Sequence, residues 1–153
     1  MKKVTALTIA KNLGKPYKQD RVSVWVEVAA KDIRKALETV KEATERISDL
    51  SVYDAGNGRL EVMYRFFVSG AVLTVKTVIP AHSPRLPTCT GLFPGALLME
   101  REQHEMFGVY FGGHPGLDKV LFANSTPEKP LRKKIPEKGK GNKEVKDAGK
   151  QEK

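Results

Sequence analysis

Ionisable side chains crowd into one short stretch: Glu100, Arg101, Glu102, His104 and Glu105, with His114 following nearby. A metal site is the first chemistry to consider, because Glu100 and His104 stand four apart on one helical face and His114 could add a ligand. The carboxylate-histidine pattern of helical metal sites, however, needs Glu and His three apart. Arg101 occupies the position three before His104, and its cation opposes a metal there. No metal is expected. Paired acid-base catalysis is the second possibility, but Glu100 and Glu102 point about 200° apart on a helical wheel. Nucleophilic catalysis is the third. Cys89 has no partner base at a recognisable spacing, so a structural thiol is expected. What remains for the cluster is an ion network through Arg101 at a buried edge.

Cys89 is the single cysteine, which excludes an internal disulfide, an iron-sulfur cluster held by this chain and a cysteine zinc site. That usage suits a reducing cytoplasm. The sequence also contains no phosphate-cradling glycine loop. No apolar run approaches the roughly 18 residues of a membrane span, and the mildly apolar start is too short and too interrupted by Thr5 and Thr8 for a secretory signal.

The 153 residues carry 27 Lys plus Arg against 18 Asp plus Glu, a formal charge of +9. That excess raises the question of a nucleic-acid partner. Counted by region, however, it separates into +5 for residues 1–21, −1 for 22–127 and +5 for 128–153. The middle is nearly neutral, and the basic ends lack the interleaved aromatics of a base-stacking platform, so a small nucleic-acid-binding protein is the minor alternative. Residues 1–21 read as a basic lead, 22–136 as one domain and 137–153 as a flexible basic tail with too little apolar surface to fold.

The elements that must position the cluster follow from periodicity. Val22, Val24, Val26 and Val28 alternate with Ser23, Trp25 and Glu27 as a strand with one face buried. Ile33, Ala36, Leu37, Val40 and Ile47 form the apolar stripe of a helix, with Asp32 in its first turn. Leu50–Asp54 is a short strand, Gly56-Asn57-Gly58 a turn, and Leu60–Val68 and Ala71–Ile79 alternate as a hairpin about Ser69-Gly70. Prolines 80, 84 and 87 make residues 80–87 an ordered loop. A second helix covers Leu92–Phe107 and stops at Gly108. The expected fold is α+β: a mainly antiparallel sheet with a β-hairpin core, one helix packed on the sheet and a second helix followed by a Gly-His-Pro turn.

The run EREQHEMFGVYFGGHP, Glu100–Pro115, resembles the signature of the thirty-kilodalton subunit family of respiratory complex I. That signature reads Glu-Arg-Glu, two variable residues, an acid, an apolar pair, Gly and, further on, Phe and Gly-His-Pro. Pro87, Thr90, Leu92, Phe93, Pro94, Gly95 and Ala96 resemble the family's preceding loop and helix start, and Pro130-Leu131-Arg132-Lys133 its Pro-Leu-Arg-Lys element. The signature and interface positions implied are Glu100, Arg101, Glu102, Glu105, Phe107, Gly108, Phe111, Gly113, His114, Pro115, Pro130, Leu131 and Arg132.

The resemblance implies a non-catalytic assembly subunit of the peripheral arm of a membrane-anchored redox complex, either NADH-quinone oxidoreductase-like or an energy-converting hydrogenase. It implies no cofactor on this chain, with iron-sulfur clusters and a nickel-iron or quinone site in partner subunits. The expected partners are the large catalytic subunit and the small iron-sulfur subunit, with indirect attachment to the membrane arm on its cytoplasmic face and no nucleic acid. Glu105 stands where the family has aspartate, and the Asp-Trp usual before Pro-Leu-Arg-Lys is missing. With the lysine-rich surface, these departures incline the resemblance toward the hydrogenase-like branch.

Overall fold

A computed structural model describes residues 5–118, 121 and 127–133. The segment read as a tail, 137–153, lies outside the described residues. The element order is α1 (Ala6–Leu13), β1 (Pro16–Gln19), β2 (Ser23–Glu27), a 3₁₀ turn (Ala30–Asp32), α2 (Ile33–Lys41), β3 (Asp49–Asp54), β4 (Arg59–Val68), β5 (Ala71–Pro80), β6 (Arg85–Pro87), α3 (Ala96–Phe107) and β7 (Tyr110–Gly112). The fold is α+β, as the periodicity predicts.

A five-stranded sheet runs in the order β1-β2-β5-β4-β3, with every neighbouring pair antiparallel except β2 and β5. The β4-β5 hairpin is its centre of construction. Ser69 and Gly70 both have positive φ (49° and 85°), the two-residue turn whose twist matches that of the flanking strands. Leu60, Val62, Tyr64, Phe66 and Val68 on β4 and Leu73, Val75, Thr77 and Ile79 on β5 point to one side and are buried. Because β2 joins the same sheet parallel to β5, the chain must cross over between them, and α2 makes part of that crossing. Ile33, Ala36, Leu37 and Val40 on α2 close the core from above, together with Ala6, Ile9 and Ala10 of α1.

Periodicity leaves residues before Val22 without an element, yet α1 and β1 form there. Thr5 caps α1 by accepting the Thr8 N–H at 3.3 Å. Both elements are too short for a clear periodic signal.

The structure corrects the sequence reading at other boundaries. Ile47 does not belong to α2: the helix ends at Lys41, where Ala43 and Thr44 both donate to the Val40 carbonyl, and Ile47 is buried from the following segment. Asp32 closes the 3₁₀ turn and makes no side-chain capping bond. The second helix starts at Ala96, not Leu92; a proline at 94 disfavours helical backbone at the residue before it. Phe93 instead wedges into the core against Phe66, with ring centroids 5.0 Å apart. Part of the expected proline loop is a strand: Arg85–Pro87 pairs in parallel with β7. Pro84 precedes it and Pro87 is its last residue, and the Pro84 carbonyl accepts the Tyr110 N–H at 2.8 Å.

Candidate functional site

Helix α3 lies against strand β3 at the sheet edge and presents Ala96, Glu100, Glu105 and Phe107 inward. Glu100 is fully buried. One carboxylate oxygen accepts the Thr88 hydroxyl at 2.5 Å and the other accepts the Cys89 N–H at 2.7 Å. The loop after β6 is thereby tied to the helix. The expected ion network does not form around Glu100: Arg101 turns outward and donates from Nε to the Asp118 carbonyl at 3.3 Å. Neutral donors satisfy the buried carboxyl instead, which avoids burying a guanidinium beside it.

Cys89 lies beside this carboxyl and is fully buried. Burial, and then the Glu100 charge, push its thiol far above the usual range. Such a thiol is neutral and unreactive. Tyr64 shares the surroundings: its buried hydroxyl has no hydrogen-bond partner among the described residues, and burial, with Cys89 and Glu100 nearby, raises its phenol well above the ordinary value.

The rest of the signature shapes the end of the helix. Glu102 is half-buried. Glu105 is buried and accepts the Leu121 N–H at 2.9 Å. His104 makes a 2.8 Å hydrogen bond from Nδ1 to the Val109 carbonyl, while its own carbonyl accepts the Gly108 N–H at 2.8 Å. Gly108 is left-handed (φ 72°, ψ 24°), the conformation that stops a helix and favours glycine. The chain then turns into β7, where Phe111 is fully buried. Gly113 is also left-handed (φ 86°) and sits close to Thr88. His114 Nδ1 accepts the Gly116 N–H at 3.0 Å, so the proton is on Nε2, which donates to the Leu97 carbonyl at 3.0 Å. Pro115 is exposed beside it.

The Pro-Leu-Arg-Lys element returns to this region from later in the chain. Pro130 and Leu131 are exposed, and the Leu131 N–H donates to the Met106 carbonyl at 3.2 Å. Arg132 has three acceptors at once. It donates to the Phe107 carbonyl at 2.9 Å, to the Ala81 carbonyl, and pairs with Asp54 at 3.6 Å. It therefore joins the last turn of α3, the end of β5 and the end of β3. Burial alone would raise the Asp54 carboxyl. The N–H groups of Gly56 and Lys133 and the charges of Arg132 and Lys133 outweigh that effect and hold it below the ordinary range.

Periodicity missed several residues that complete this arrangement: Thr88, Cys89, Asp54 and Gln103. Gln103 accepts the Val52 N–H of the edge strand at 3.1 Å. Only Asp54, at the end of a strand and just before a glycine turn, carries a local signal that could have marked it. Glu100, His104 and His114, the residues weighed as metal ligands, are each committed to different partners. Among the described residues no group of three or more His, Cys, Asp and Glu could hold a metal. Chemically, the arrangement fixes a helix, a turn and a returning segment against one end of the sheet.

The family model for the respiratory-chain NADH dehydrogenase 30 kDa subunit matches residues 26–141. The NADH-quinone oxidoreductase C subunit of Roseiflexus sp. (strain RS-1) is 40% identical over 80 residues, 51% of this chain and 46% of that protein. NADH-quinone oxidoreductase subunit 5 of Thermus thermophilus is 42% identical over 67 residues, 44% of this chain and 32% of that protein. The chain spans less than half the length of these curated relatives. Among solved structures, a chain of the membrane-bound sulfane sulfur reductase, an archaeal respiratory membrane complex, aligns with a TM-score of 0.70 and 27% identity over 80% of this chain and 76% of that one. A trypsin-resistant fragment of Nqo5 aligns with a TM-score of 0.62 and 25% identity over 72% of this chain and 96% of the fragment. The family match takes in the α3 signature, the β7 turn and the Pro-Leu-Arg-Lys segment, and the chain belongs to the respiratory-chain NADH dehydrogenase 30 kDa subunit family.

Proposed function

We propose that this chain is a non-catalytic assembly subunit in the peripheral arm of a membrane-associated respiratory complex. It packs against a large catalytic subunit and a small iron-sulfur subunit, which carry the clusters and the quinone or nickel-iron site, on the cytoplasmic face of the membrane. Glu100 carries this reading: the most conspicuous acid of the signature is sealed from solvent, with both oxygens engaged by Thr88 and Cys89. A group so enclosed positions backbone and does not meet a substrate. The neutral, buried Cys89 offers no nucleophile, and no helix of the described residues is long and apolar enough to cross a membrane.

The similarity to a chain of an archaeal respiratory membrane complex supports membership in a complex of that general kind. Co-purification tests the reading. A tagged chain expressed in its native host and extracted in mild detergent is expected to bring down a large and a small iron-sulfur subunit in fixed ratio. Recovery of the chain alone, with the tag accessible and the protein folded, contradicts it.

A further inference from the structure

Asn57 is followed by glycine, whereas Asn12, Asn124 and Asn142 are followed by Leu13, Ser125 and Lys143. The following residue sets how reactive an asparagine side chain is. Its backbone nitrogen can attack the side-chain amide carbon and close a ring, and a Cβ on it hinders that approach; glycine has none.

The turn between β3 and β4 presents this pair to solvent. Asn57 is exposed, and Gly58 has a positive φ of 77° with open space where a Cβ would stand. The Gly58 carbonyl accepts the Ala81 N–H at 2.8 Å, whereas the Gly58 N–H, the attacking group, makes no hydrogen bond among the described residues. The electrophile is prepared from the other side. Arg59 donates from Nε to the Asn57 side-chain oxygen at 3.3 Å. A cationic donor there polarises the amide carbonyl and stabilises the oxyanion that forms when nitrogen attacks it.

We propose that Asn57 is a self-modification site, converted in the folded protein to aspartate and isoaspartate by attack of the Gly58 nitrogen, with Arg59 activating the reacting carbonyl. The Gly58 nitrogen loses its proton and bonds to Asn57 Cγ. The side-chain nitrogen takes up a proton and leaves as ammonia, giving a succinimide. Water then opens that ring at either carbonyl, and no atom changes oxidation state. Either product places a carboxylate next to Gly56, whose N–H shares the Asp54 carboxylate with that of Lys133. The isoaspartyl form also lengthens the turn by one backbone atom. The reaction needs no partner subunit and is independent of the complex.

The test incubates the purified full chain, folded and in urea, at neutral and mildly alkaline pH, and maps its peptides by mass. In the folded wild type a gain of about 1 Da is expected in the peptide holding Asn57, as two isomers, faster at the higher pH and ahead of any gain at Asn12, Asn124 or Asn142. Arg59→Met is expected to lower the folded rate about fivefold and to leave the rate in urea unchanged, because the Arg59 contact belongs to the folded turn. Arg59 is exposed, and a thermal melt confirms that the variant is folded; Arg59→Gln replaces it if it is not. Asn57→Gln, whose longer side chain must close a larger ring, is expected to show no gain over the same period. A folded chain that stays unmodified while the unfolded chain reacts overturns the proposal, since the fold then protects Asn57. Equal folded rates for wild type and Arg59→Met overturn it too, because only the intrinsic reactivity of the dipeptide is then left.

Discussion

The Arg132 guanidinium pairs with the Asp54 carboxylate at 3.6 Å, joining a segment near the end of the described chain to the last residue of β3. Asp54 is 6% exposed, and its oxygens also accept the Gly56 and Lys133 N–H groups at 2.9 Å. Arg132 in turn donates to the carbonyls of Phe107 and Ala81. Replacing it removes an ion pair and two carbonyl contacts together.

Arg132→Met is expected to destabilise the chain by about 2–4 kcal/mol, since removing one partner leaves the other buried and uncompensated. Urea denaturation measures the loss. Its pH dependence is fixed by the direction of the Asp54 shift. A carboxyl whose folded pKa lies below its unfolded value stabilises above the unfolded pKa and loses that contribution as pH falls through the folded one. The stability gap between wild type and Asp54→Asn is therefore expected to be constant above about pH 5 and to close below about pH 4. A gap that widens on acidification contradicts the shift.

Glu100→Gln tests the buried carboxyl. The Thr88 hydroxyl can rotate and accept from the new amide, but the Cys89 N–H can only donate. Both contacts therefore survive only with the amide oxygen toward Cys89, and they do so as hydrogen bonds between neutral groups, which are weaker than those to a carboxylate. A loss of about 1–3 kcal/mol is expected, with an unchanged urea slope. Thr88→Val, which leaves one carboxylate oxygen without its donor, should fall in the same range. Equal stability of both variants with wild type would show that the Glu100 contacts contribute nothing net.

Gly108 separates two causes of strain. A Cβ there would approach Lys129 Cδ at 2.7 Å, and the residue sits at φ 72°. Lys129 is a flexible side chain that can swing away, whereas the left-handed backbone cannot relax without unwinding the helix stop. Gly108→Ala is expected to cost about 1–2 kcal/mol, and Gly108→Asn less, because Asn tolerates this conformation. Adding Lys129→Ala should recover little of the loss. Thermal melting of the three variants decides it, and full rescue by Lys129→Ala would assign the cost to the clash.

Much of the sheet was legible because each face repeats with period two: Leu60 to Val68 and Leu73 to Ile79 announce themselves, and so does the Ser69-Gly70 turn. The helix ends were less legible, since Ile47 continues the apolar stripe of α2 in sequence although the chain has already left the helix. The short elements α1, β1, β6 and β7 were invisible to periodicity because three to eight residues give too few repeats to distinguish. At the site, the signature residues could be marked by their resemblance to a family, but their partners could not. Thr88, Cys89 and Ala81 are ordinary residue types whose roles arise from long-range contact, and no local pattern encodes a contact between the loop after β6 and α3 or between Arg132 and the end of β5.

Gln103 gives the sharpest test of how α3 serves the sheet. Strand β3 is an edge, and an edge strand exposes a row of backbone groups that invite pairing with another chain. The Gln103 side-chain oxygen takes one of them, the Val52 N–H, at 3.1 Å. Gln103→Leu keeps the bulk and removes the acceptor, so its cost should be about 1 kcal/mol. A general loosening of the core would speed amide exchange throughout the sheet. Loss of this bond alone should speed exchange at Val52 while Leu60 and Val75, deeper in the hairpin, keep their protection. Uniform acceleration across β3, β4 and β5 would mean that Gln103 supports packing and does not shield the edge.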